Sequence, residues 1–340
     1  MHDWVRGRGS ATDRARALRI EASPNFANGR FRNPVPTRKI LPGSLIRTVS
    51  RQLLGREQRV PRGPLPIQSI DGRAFDRAPA TGLRVTWLGH SSVLVEIDGR
   101  RLLLDPVWAE RVSPLSFAGP RRFHPPPLPL TDLPPLDAVI ISHDHYDHLD
   151  RSVIRVLGAS GVPFITSLGV GGRLEKWDVA PQRITELDWE QSTLVEDLTI
   201  TATPARHFSG RGVLDTDRTL WASWVIAGPQ HRVFFTGDTG YFSGIAQIGE
   251  GYGPFDTTLI KIGAYGPTWP DIHLTPEDAV RVHVALRGKV LVPVHWGTFN
   301  LAFHAWNEPP ERLLAAARDE SIAVMIPRPG QQLERSWLHS

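Results

Sequence analysis

Short apolar runs that end in polar side chains organise the chain from residue 83 onward. Strands are predicted where β-branched and other apolar residues cluster between glycine, proline or aspartate. The predicted strands cover 83–90, 92–98, 101–106, 136–143, 198–207, 220–228, 231–238 and 289–299. Asp98-Gly99 predicts a tight hairpin between the second and third strands. The fourth run is mainly apolar, which indicates a strand buried on both faces.

Three helices are predicted among these strands, over 151–160, 275–286 and 309–320. The second has clear start signals, with Thr275 as the N-cap, Pro276 in the first turn and acidic residues directly after it. A strand-rich first half followed by mixed strands and helices indicates an α/β fold, in which helices cover two sheets.

The first 80 residues differ from the rest of the chain in composition and charge. They are rich in Arg, Pro and Gly and carry a net charge of +10, whereas the remainder carries −6. We therefore predict a basic Arg/Pro-rich N-terminal extension at 1–80 and a larger α/β domain at 81–340. A basic extension suggests an anionic partner, either lipid or nucleic acid, but it is equally compatible with a solvated arm.

Within the extension, residues 44–56 predict a short amphipathic helix that ends at Gly55. Its apolar face is formed by Leu45, Ile46, Val49 and Leu53, and its arginines are Arg47, Arg51 and Arg56. Such a helix either packs onto the main domain or lies in a membrane interface.

Several absences narrow the function classes. The chain has no cysteine, which excludes disulfides, thiolate zinc sites and cysteine nucleophiles. There is no apolar run of about 18 residues and no signal-like apolar segment at the N-terminus, so neither a transmembrane helix nor a secretory signal is predicted. We expect a cytoplasmic protein, with a peripheral position on the inner face of the membrane if the extension binds lipid.

The segment ISHDHYDHLD, residues 141–150, carries the candidate chemistry. Three histidines and two aspartates lie within six positions directly after a predicted strand. Such a cluster would crowd polar groups unless a cation bound them. In an extended backbone His143, His145 and Asp147 share a face and are expected to converge, with His148 turned elsewhere. This arrangement predicts two neighbouring metals rather than one.

Other predicted strands also end in metal-ligand side chains, and strand ends gather along one edge of a sheet. The predicted ligands are His143, His145 and His207 for one metal, Asp147, His148 and His295 for the other, and Asp238 as the bridge. Neutral imidazole and carboxylate suit two zinc ions, and also iron or manganese. Two ions about 3.5–4 Å apart would lower the pKa of a shared water and present hydroxide at neutral pH.

These residues and their order resemble the metallo-β-lactamase fold, and the wider sequence resembles the N-acyl-phosphatidylethanolamine-hydrolysing phospholipase D family. The similarity covers roughly residues 30–315, including RFRNPVPT in the extension. Its motifs are GLRVTWLGHSSVLVEIDG, SPLSFAGPRRF, LPPLDAVIISHDHYDHLD, FFTGDTGYF, GPFDTTLIKIGAY, TPEDAVRVH and VHWGTFNLAFHAWNEPP.

The resemblance implies an αββα sandwich with two zinc ions along one edge. It implies hydrolysis of N-acyl-phosphatidylethanolamine to phosphatidic acid and an N-acylethanolamine, by a homodimer at a membrane surface. Asp147 and His273 are then expected to be catalytic. His90, which also suits a position behind the metal ligands, and Tyr146 are expected to contribute to substrate binding.

The chain departs from that family at positions expected near the head group. Gly266, Pro267 and Thr268 stand where the family has Glu-Pro-Arg, and Phe208 stands where it often has Trp. Since the fold supports many hydrolases, a metal hydrolase of a carboxylic ester or lactone is the main alternative.

Other functions are less compatible with the sequence. The absence of cysteine disfavours one major type of β-lactamase, and His145 occupies a position where redox di-iron members have a carboxylate. The extension lacks the interleaved aromatics typical of nucleic-acid binding, so we expect no nucleic-acid partner. A scaffold with a vestigial site would have lost ligands, and all seven are present.

Overall fold

The fold is given by a computed structural model that describes residues 11–115 and 117–334, with the backbone alone at 45–47, 52 and 53. Within these residues the helices are α1 (Ala11–Ala22), α2 (Ser44–Leu54), α3 (Arg151–Ala159), α4 (Gly171–Glu175), α5 (Gly244–Tyr252), α6 (Pro276–Ala285) and α7 (Glu308–Asp319). The strands are β1 (Phe26–Ala27), β2 (Arg30–Phe31), β3 (Leu83–Gly89), β4 (Ser92–Ile97), β5 (Arg100–Leu104), β6 (Ala138–Ile141), β7 (Phe164–Ser167), β8 (Ile184–Leu187), β9 (Ser192–Val195), β10 (Leu198–Thr203), β11 (Ser223–Ala227), β12 (Arg232–Phe235), β13 (Phe255–Lys261), β14 (Gly288–Val294) and β15 (Gln332–Glu334).

Two mixed sheets form the body of the molecule. One has the order β15-β3-β4-β5-β6-β7-β8, with parallel pairing from β5 to β8. The other has the order β14-β13-β12-β11-β10-β9, with β12, β13 and β14 parallel to one another. Each sheet thus contains a parallel portion, in which the C-terminal ends of the strands lie at a common edge.

Three apolar layers hold the sheets and helices together. Inward side chains of both sheets, such as Val95 and Trp224, pack in one buried cluster. The outer face of the first sheet packs against α3 and α4, and the outer face of the second packs against α5, α6 and α7. The result is the four-layer αββα arrangement that the resemblance implies, with most strand residues buried.

Local sequence signals act where they are predicted. Asp98 and Gly99 join β4 to β5 with φ values of 49° and 82°, and the positive φ at both turn positions suits a two-residue hairpin. Thr275 accepts a hydrogen bond from the backbone N–H of Asp278 at 3.1 Å and caps α6. The turn and the cap fix where β5 and α6 begin.

All eight predicted strands and all three predicted helices occur, with shorter bounds in several cases. The pattern missed the helices α1, α4 and α5 and the strands β1, β2, β7, β8, β9, β13 and β15. The omission of β13 matters most, because this strand lies between β12 and β14 at the edge that carries the site.

The described part of the extension packs against the sandwich. Phe31 belongs to the core between the sheets, and Phe75 belongs to the outer core of the first sheet. Arg16 on α1 is buried and donates from Nε to Glu186 at 2.7 Å. Residues 11–80 are therefore not a free arm, although the boundary at residue 80 stays a prediction.

Helix α2 confirms the predicted amphipathic element and ends at Gly55. Val49 and Leu54 are exposed, at 47% and 76% of their surface. The side chains of Leu45, Ile46, Arg47 and Leu53 lie outside the described residues. None of the helices in the described part of the chain has both the length and the apolar character needed to cross a bilayer.

Candidate metal centre

The ends of strands from both sheets deliver the candidate ligands to one edge of the sandwich. His143 follows β6, Asp238 follows β12 and His295 follows β14, while His207 lies on the loop after β10. Because β12 and β14 are parallel with β13 between them, their C-terminal ends meet. The structure therefore brings together all seven residues that the sequence proposes as ligands.

The first group of ligand atoms consists of imidazole nitrogens from His143, His145 and His207. His143 Nε2 lies 2.8 Å from His145 Nδ1, and His207 Nε2 lies 3.3 Å from the same atom. Three ring nitrogens that converge in this way match the three-histidine set predicted for one metal.

The second group contains Asp147, His148 and His295. His295 Nε2 lies 3.3 Å from Asp147 Oδ2, and His148 Nε2 lies 3.6 Å from the same oxygen. His90 joins this group geometrically, with its Nε2 at 3.0 Å from Asp147 Oδ2. One carboxylate and two imidazoles thus form the set predicted for the other metal.

Asp238 faces both groups with different oxygens. Its Oδ1 lies 3.1 Å from His295 Nε2 and 3.4 Å from His148 Nε2. Its Oδ2 lies 3.6 Å from His207 Nε2. A carboxylate placed in this way can bind one cation with each oxygen, as the bridging role requires.

One geometric expectation from the sequence is wrong. His143, His145 and Asp147 do not converge on one face, because the segment turns rather than remaining extended. The backbone N–H groups of His148 and Leu149 both donate to the carbonyl of His145, at 3.2 and 2.9 Å. The turn places Asp147 in the same group as His148. The two ligand groups therefore arise from a turn and not from the alternation of an extended strand.

Several candidate ligand atoms lack the hydrogen-bond partners that buried polar atoms usually have, which is expected of atoms that bind metal ions. Asp238 Oδ1, His148 Nε2 and His295 Nε2 are buried and have no hydrogen-bond partner of acceptable geometry in the described structure. Unsatisfied buried polar atoms of this kind are costly unless a cation completes their environment. The residues present therefore fit a dinuclear centre of nitrogen and oxygen ligands.

Electrostatics favours neutral imidazoles in the first group. Burial, with the neighbouring His148 and His145, holds the pKa of His143 well below its ordinary value. Burial is also the main cause that keeps the pKa of His207 low. Neutral rings offer the lone pairs that metal ligation needs.

His148 differs because carboxylates surround it. Burial opposes its charged form, but Asp238, Asp147 and Asp105 raise the pKa of His148 well above its ordinary value. Excess negative charge at this end of the site is the physical cause, and a divalent cation would offset the same charge.

Asp105 is a functional residue that the sequence reasoning missed. It is fully buried after β5 and lies 2.7 Å from His148 Nδ1. It also accepts hydrogen bonds from the N–H and hydroxyl of Ser142, at 2.7 and 2.6 Å. By accepting a hydrogen bond from the Nδ1–H group, Asp105 leaves the Nε2 lone pair of His148 free for a metal.

His207 is positioned by the extension and by a backbone carbonyl. Asn33 makes two hydrogen bonds to the main chain of His207, at 2.7 and 2.8 Å. His207 Nδ1 lies 2.9 Å from the carbonyl of Ile272, which directs Nε2 into the site. The extension thus takes part in building the metal centre.

His90 and Tyr146, which the sequence proposes as substrate-binding residues, both contact other protein groups in the structure. His90 is 1% exposed and lies behind Asp147, so its contacts are those of a residue that orients this carboxylate. The Tyr146 hydroxyl donates to the carbonyl of Arg211 at 3.2 Å, and the Arg211 guanidinium lies 3.7 Å from the ring centre. Substrate binding by either residue stays a prediction.

His273 lies between the two ligand groups and contacts a lysine that the sequence reasoning did not consider. Its Nδ1 is 3.6 Å from Asp238 Oδ2 and contacts the ammonium of Lys261, the last residue of β13. Burial lowers the pKa of Lys261 to about 8. The sequence signal that could have identified Lys261 is its position at the end of β13. Because β13 lies between β12 and β14, its last residue lies at the same sheet edge as Asp238 and His295.

Comparisons with known proteins agree with this geometry. Residues 100–296 match the beta-lactamase superfamily domain. The chain is 50% identical over 320 residues to an uncharacterized protein of Mycobacterium tuberculosis, with 92% of this chain and 85% of the relative covered. It is 38% identical over 291 residues to N-acyl-phosphatidylethanolamine-hydrolyzing phospholipase D 1 of Caenorhabditis elegans, with 81% of each chain covered.

A solved metallo hydrolase from Ignicoccus hospitalis, Igni18, is similar in structure. It superposes with a TM-score of 0.55 at 26% identity, over 74% of this chain and 97% of the archaeal protein.

Proposed function

The chain belongs to the metallo-β-lactamase superfamily, and from that premise we propose that it is a zinc-dependent phosphodiesterase of phospholipase D type. Its two mixed sheets with flanking helices are the metallo-β-lactamase fold, as expected from the sequence. The proposed substrates are N-acyl-phosphatidylethanolamine-like phospholipids, and the proposed products are phosphatidic acid and an N-acylethanolamine.

The observation that carries the catalytic part is the placement of Asp238 between two groups of ligands. Its two oxygens face the two sets of imidazoles from opposite sides, at 3.1 Å and 3.6 Å. Two divalent ions bound there would lower the pKa of a water and offset negative charge on a phosphoryl oxygen. Asp105 and Ser142 contact the rings of His148 and His143, and Asn33 holds the main chain of His207, which keeps these residues in place for this chemistry.

The support for a phospholipid comes from similarity and from the surroundings of the site. The Caenorhabditis elegans relative carries this activity in its name and aligns with 81% of the chain. A cavity of about 1090 Å³ shares Phe123, Asn300 and Leu301 with a small cleft that touches His90 and His295. The cavity thus adjoins a cleft that reaches two residues of the candidate metal centre, and it is large enough for a sizeable ligand.

The lining of that cavity suits an anionic amphiphile. Arg111, Arg121 and Arg122 supply positive charge, which Glu110 offsets in part through its pair with Arg121 at 2.6 Å. Val60 and Phe303 supply apolar surface. Leu115 and Phe117, on the loop between Arg111 and Arg121, are 48% and 78% exposed. Cationic and apolar groups side by side complement a phosphodiester that carries acyl chains.

A comparison of substrates tests the proposed chemistry against the main alternative. We expect the full chain loaded with zinc to cleave N-acyl-phosphatidylethanolamine much faster than carboxylic esters or lactones of similar acyl length. The reason is that two adjacent cations stabilise an in-line displacement at phosphorus. The products are measured by mass spectrometry, with metal-depleted chain as the control. Ester or lactone hydrolysis without phosphodiester cleavage would favour the alternative.

We also propose that the protein binds anionic membrane surfaces from the cytoplasmic side, and that it forms a homodimer. The exposed Val49 and Leu54 on α2 and the net charge of +10 over residues 1–80 support the membrane part. Anionic lipid attracts each nearby basic residue by about 1 kcal/mol, and salt screens this attraction. The homodimer rests on the resemblance alone.

Replacement of Arg47, Arg51 and Arg56 by Ser tests the membrane proposal. We expect binding to vesicles that contain phosphatidylglycerol to fall by about ten- to a hundredfold at low salt, because two or three attractive contacts of about 1 kcal/mol each are lost. Arg51 should contribute less than the other two arginines, since it already pairs with Glu57 at 3.0 Å. The assay is cosedimentation. A matched triple replacement of Arg155, Arg281 and Arg318, on helices of the main domain, should leave binding nearly unchanged. Equal binding by both triple variants would contradict the role of α2.

A further inference from the structure

Lys261 is a buried lysine with few described partners. It ends β13, between the strands that lead to Asp238 and His295, and its side chain is 0% exposed. The contacts described for Nζ are His273 Nδ1 and, at 3.7 Å, Asp238 Oδ1. A lysine this deeply buried is costly, so its position next to two candidate site residues calls for a role.

The chemistry of the two groups sets the direction of their hydrogen bond. The Lys261 amine carries hydrogens that it can donate to a ring lone pair whether or not it is charged. With Lys261 as the donor, His273 Nδ1 is the acceptor. A neutral imidazole that accepts at Nδ1 carries its hydrogen on Nε2.

The other ring nitrogen of His273 is available to a ligand. Within the described residues no hydrogen-bond partner is recorded for Nε2, and 13% of the side chain is exposed. The ring lies near both ligand groups, with its centre 5.1 Å from that of His207 and 5.8 Å from that of His295. A donor in this position is close to where substrate oxygens would approach the metals.

The contact also bears on which atoms bind metal. His273 Nδ1, His207 and Asp238 lie close enough together to form a ligand set of their own. When the Lys261 amine donates to the lone pair of Nδ1, this nitrogen is no longer available to that set. His273 lies among the seven candidate metal ligands, but its contact with Lys261 keeps Nδ1 from acting as an eighth ligand.

We propose that Lys261 is a positioning residue that fixes His273 as a neutral hydrogen-bond donor, with its hydrogen on Nε2 directed to a negatively charged oxygen of the substrate. His273 then stabilises developing negative charge without binding metal at Nδ1. The role of His273 toward substrate rests on the proposed hydrolysis, whereas the state of its ring does not.

The direct test is nitrogen NMR of isotope-labelled histidine in the full chain loaded with zinc, with the His273 signals assigned by their loss in His273→Gln. We expect Nε2 of His273 to carry a hydrogen, and Nδ1 to carry neither hydrogen nor metal. Loading with an NMR-active cadmium isotope checks the last point, since a direct bond would show scalar coupling. A hydrogen or a metal on Nδ1 in the unmodified chain would overturn the proposal.

Lys261→Met provides the second measurement, because methionine has a similar length and cannot donate. We expect it to change the ring state of His273 and to lower kcat by on the order of 10-fold, with two metals still bound. Lys289→Met is the matched control, since Lys289 pairs with Asp256 at 2.9 Å on the neighbouring strand β14. It should change neither readout. Unchanged kcat and ring state in folded Lys261→Met would overturn the proposal.

These measurements separate the two ideas. If the variant does not fold, the NMR of the unmodified chain still decides the state of His273. If the unmodified chain shows the expected ring state but cleaves no phosphodiester, the proposed function fails and the inference about Lys261 stands.

Discussion

Asp238→Asn should lower hydrolysis by roughly 10³-fold or more and reduce the bound metal below two ions per chain. An amide keeps the shape of the side chain but loses the charge and one of the two oxygens that face the ligand groups. Stabilisation by a metal pair is worth several kcal/mol, and each 1.4 kcal/mol corresponds to about tenfold in rate. Steady-state kinetics and elemental analysis of the same preparation measure both effects.

The control for this variant is Asp256→Asn, a carboxylate on β13 that pairs with Lys289 away from the site. It should keep two metals and nearly full activity. Circular dichroism should show that both variants retain the fold. Full activity of Asp238→Asn with two ions bound would contradict the bridging role.

Asp105→Asn should weaken metal binding at the second ligand group by about 10–100-fold. Three donors converge on this carboxylate, from His148 Nδ1 and from the N–H and hydroxyl of Ser142. An amide must turn its own N–H₂ group toward at least one of them. His148 then loses the partner that directs Nε2 to the metal, and one metal should dissociate in a titration with chelator.

Asp98→Asn is a matched control for the effect of losing a buried aspartate–histidine pair. Asp98 lies 2.6 Å from His231 Nδ1 in a buried pair outside the metal centre. Both variants should lose thermal stability, but only Asp105→Asn should lose metal affinity. If the two variants bound metal equally well, Asp105 would have a structural role alone.

The clustering of the seven candidate ligands could be predicted because its signals are local. Each predicted ligand follows an apolar strand, and strand ends meet at a sheet edge whatever the details of packing. The segment 143–148 also concentrates so many polar groups that a cation was the simple explanation. The division into two groups was anticipated, but the turn at His145 that produces it was not, because the sequence reasoning assumed an extended backbone.

The supporting residues could not be predicted in the same way. Asp105 lies 43 positions before His148, and Asn33 lies 174 positions before His207. No spacing rule links residues so far apart, since their contact depends on how complete strands pair. Lys261 could have been predicted in part. Recognition of β13 as a strand would have placed its last residue between the ends of β12 and β14, which lead to Asp238 and His295.

The extension shows how composition can mislead. A net charge of +10 and weak periodicity were compatible with a solvated arm. The structure instead buries Arg16 between acidic partners and places Phe31 and Phe75 in the cores. A few well-placed long-range contacts therefore decide the packing of this segment, and average composition does not report them.

Hydrolysis of N-acyl-phosphatidylethanolamine in water enriched in heavy oxygen tests the central claim most directly. Attack of a solvent oxygen at phosphorus breaks the bond between phosphorus and the head-group oxygen. The account predicts that the heavy isotope appears in phosphatidic acid and that the N-acylethanolamine is unlabelled, as measured by mass spectrometry of both products. Heavy oxygen in the N-acylethanolamine would indicate carbon–oxygen cleavage and would contradict the account.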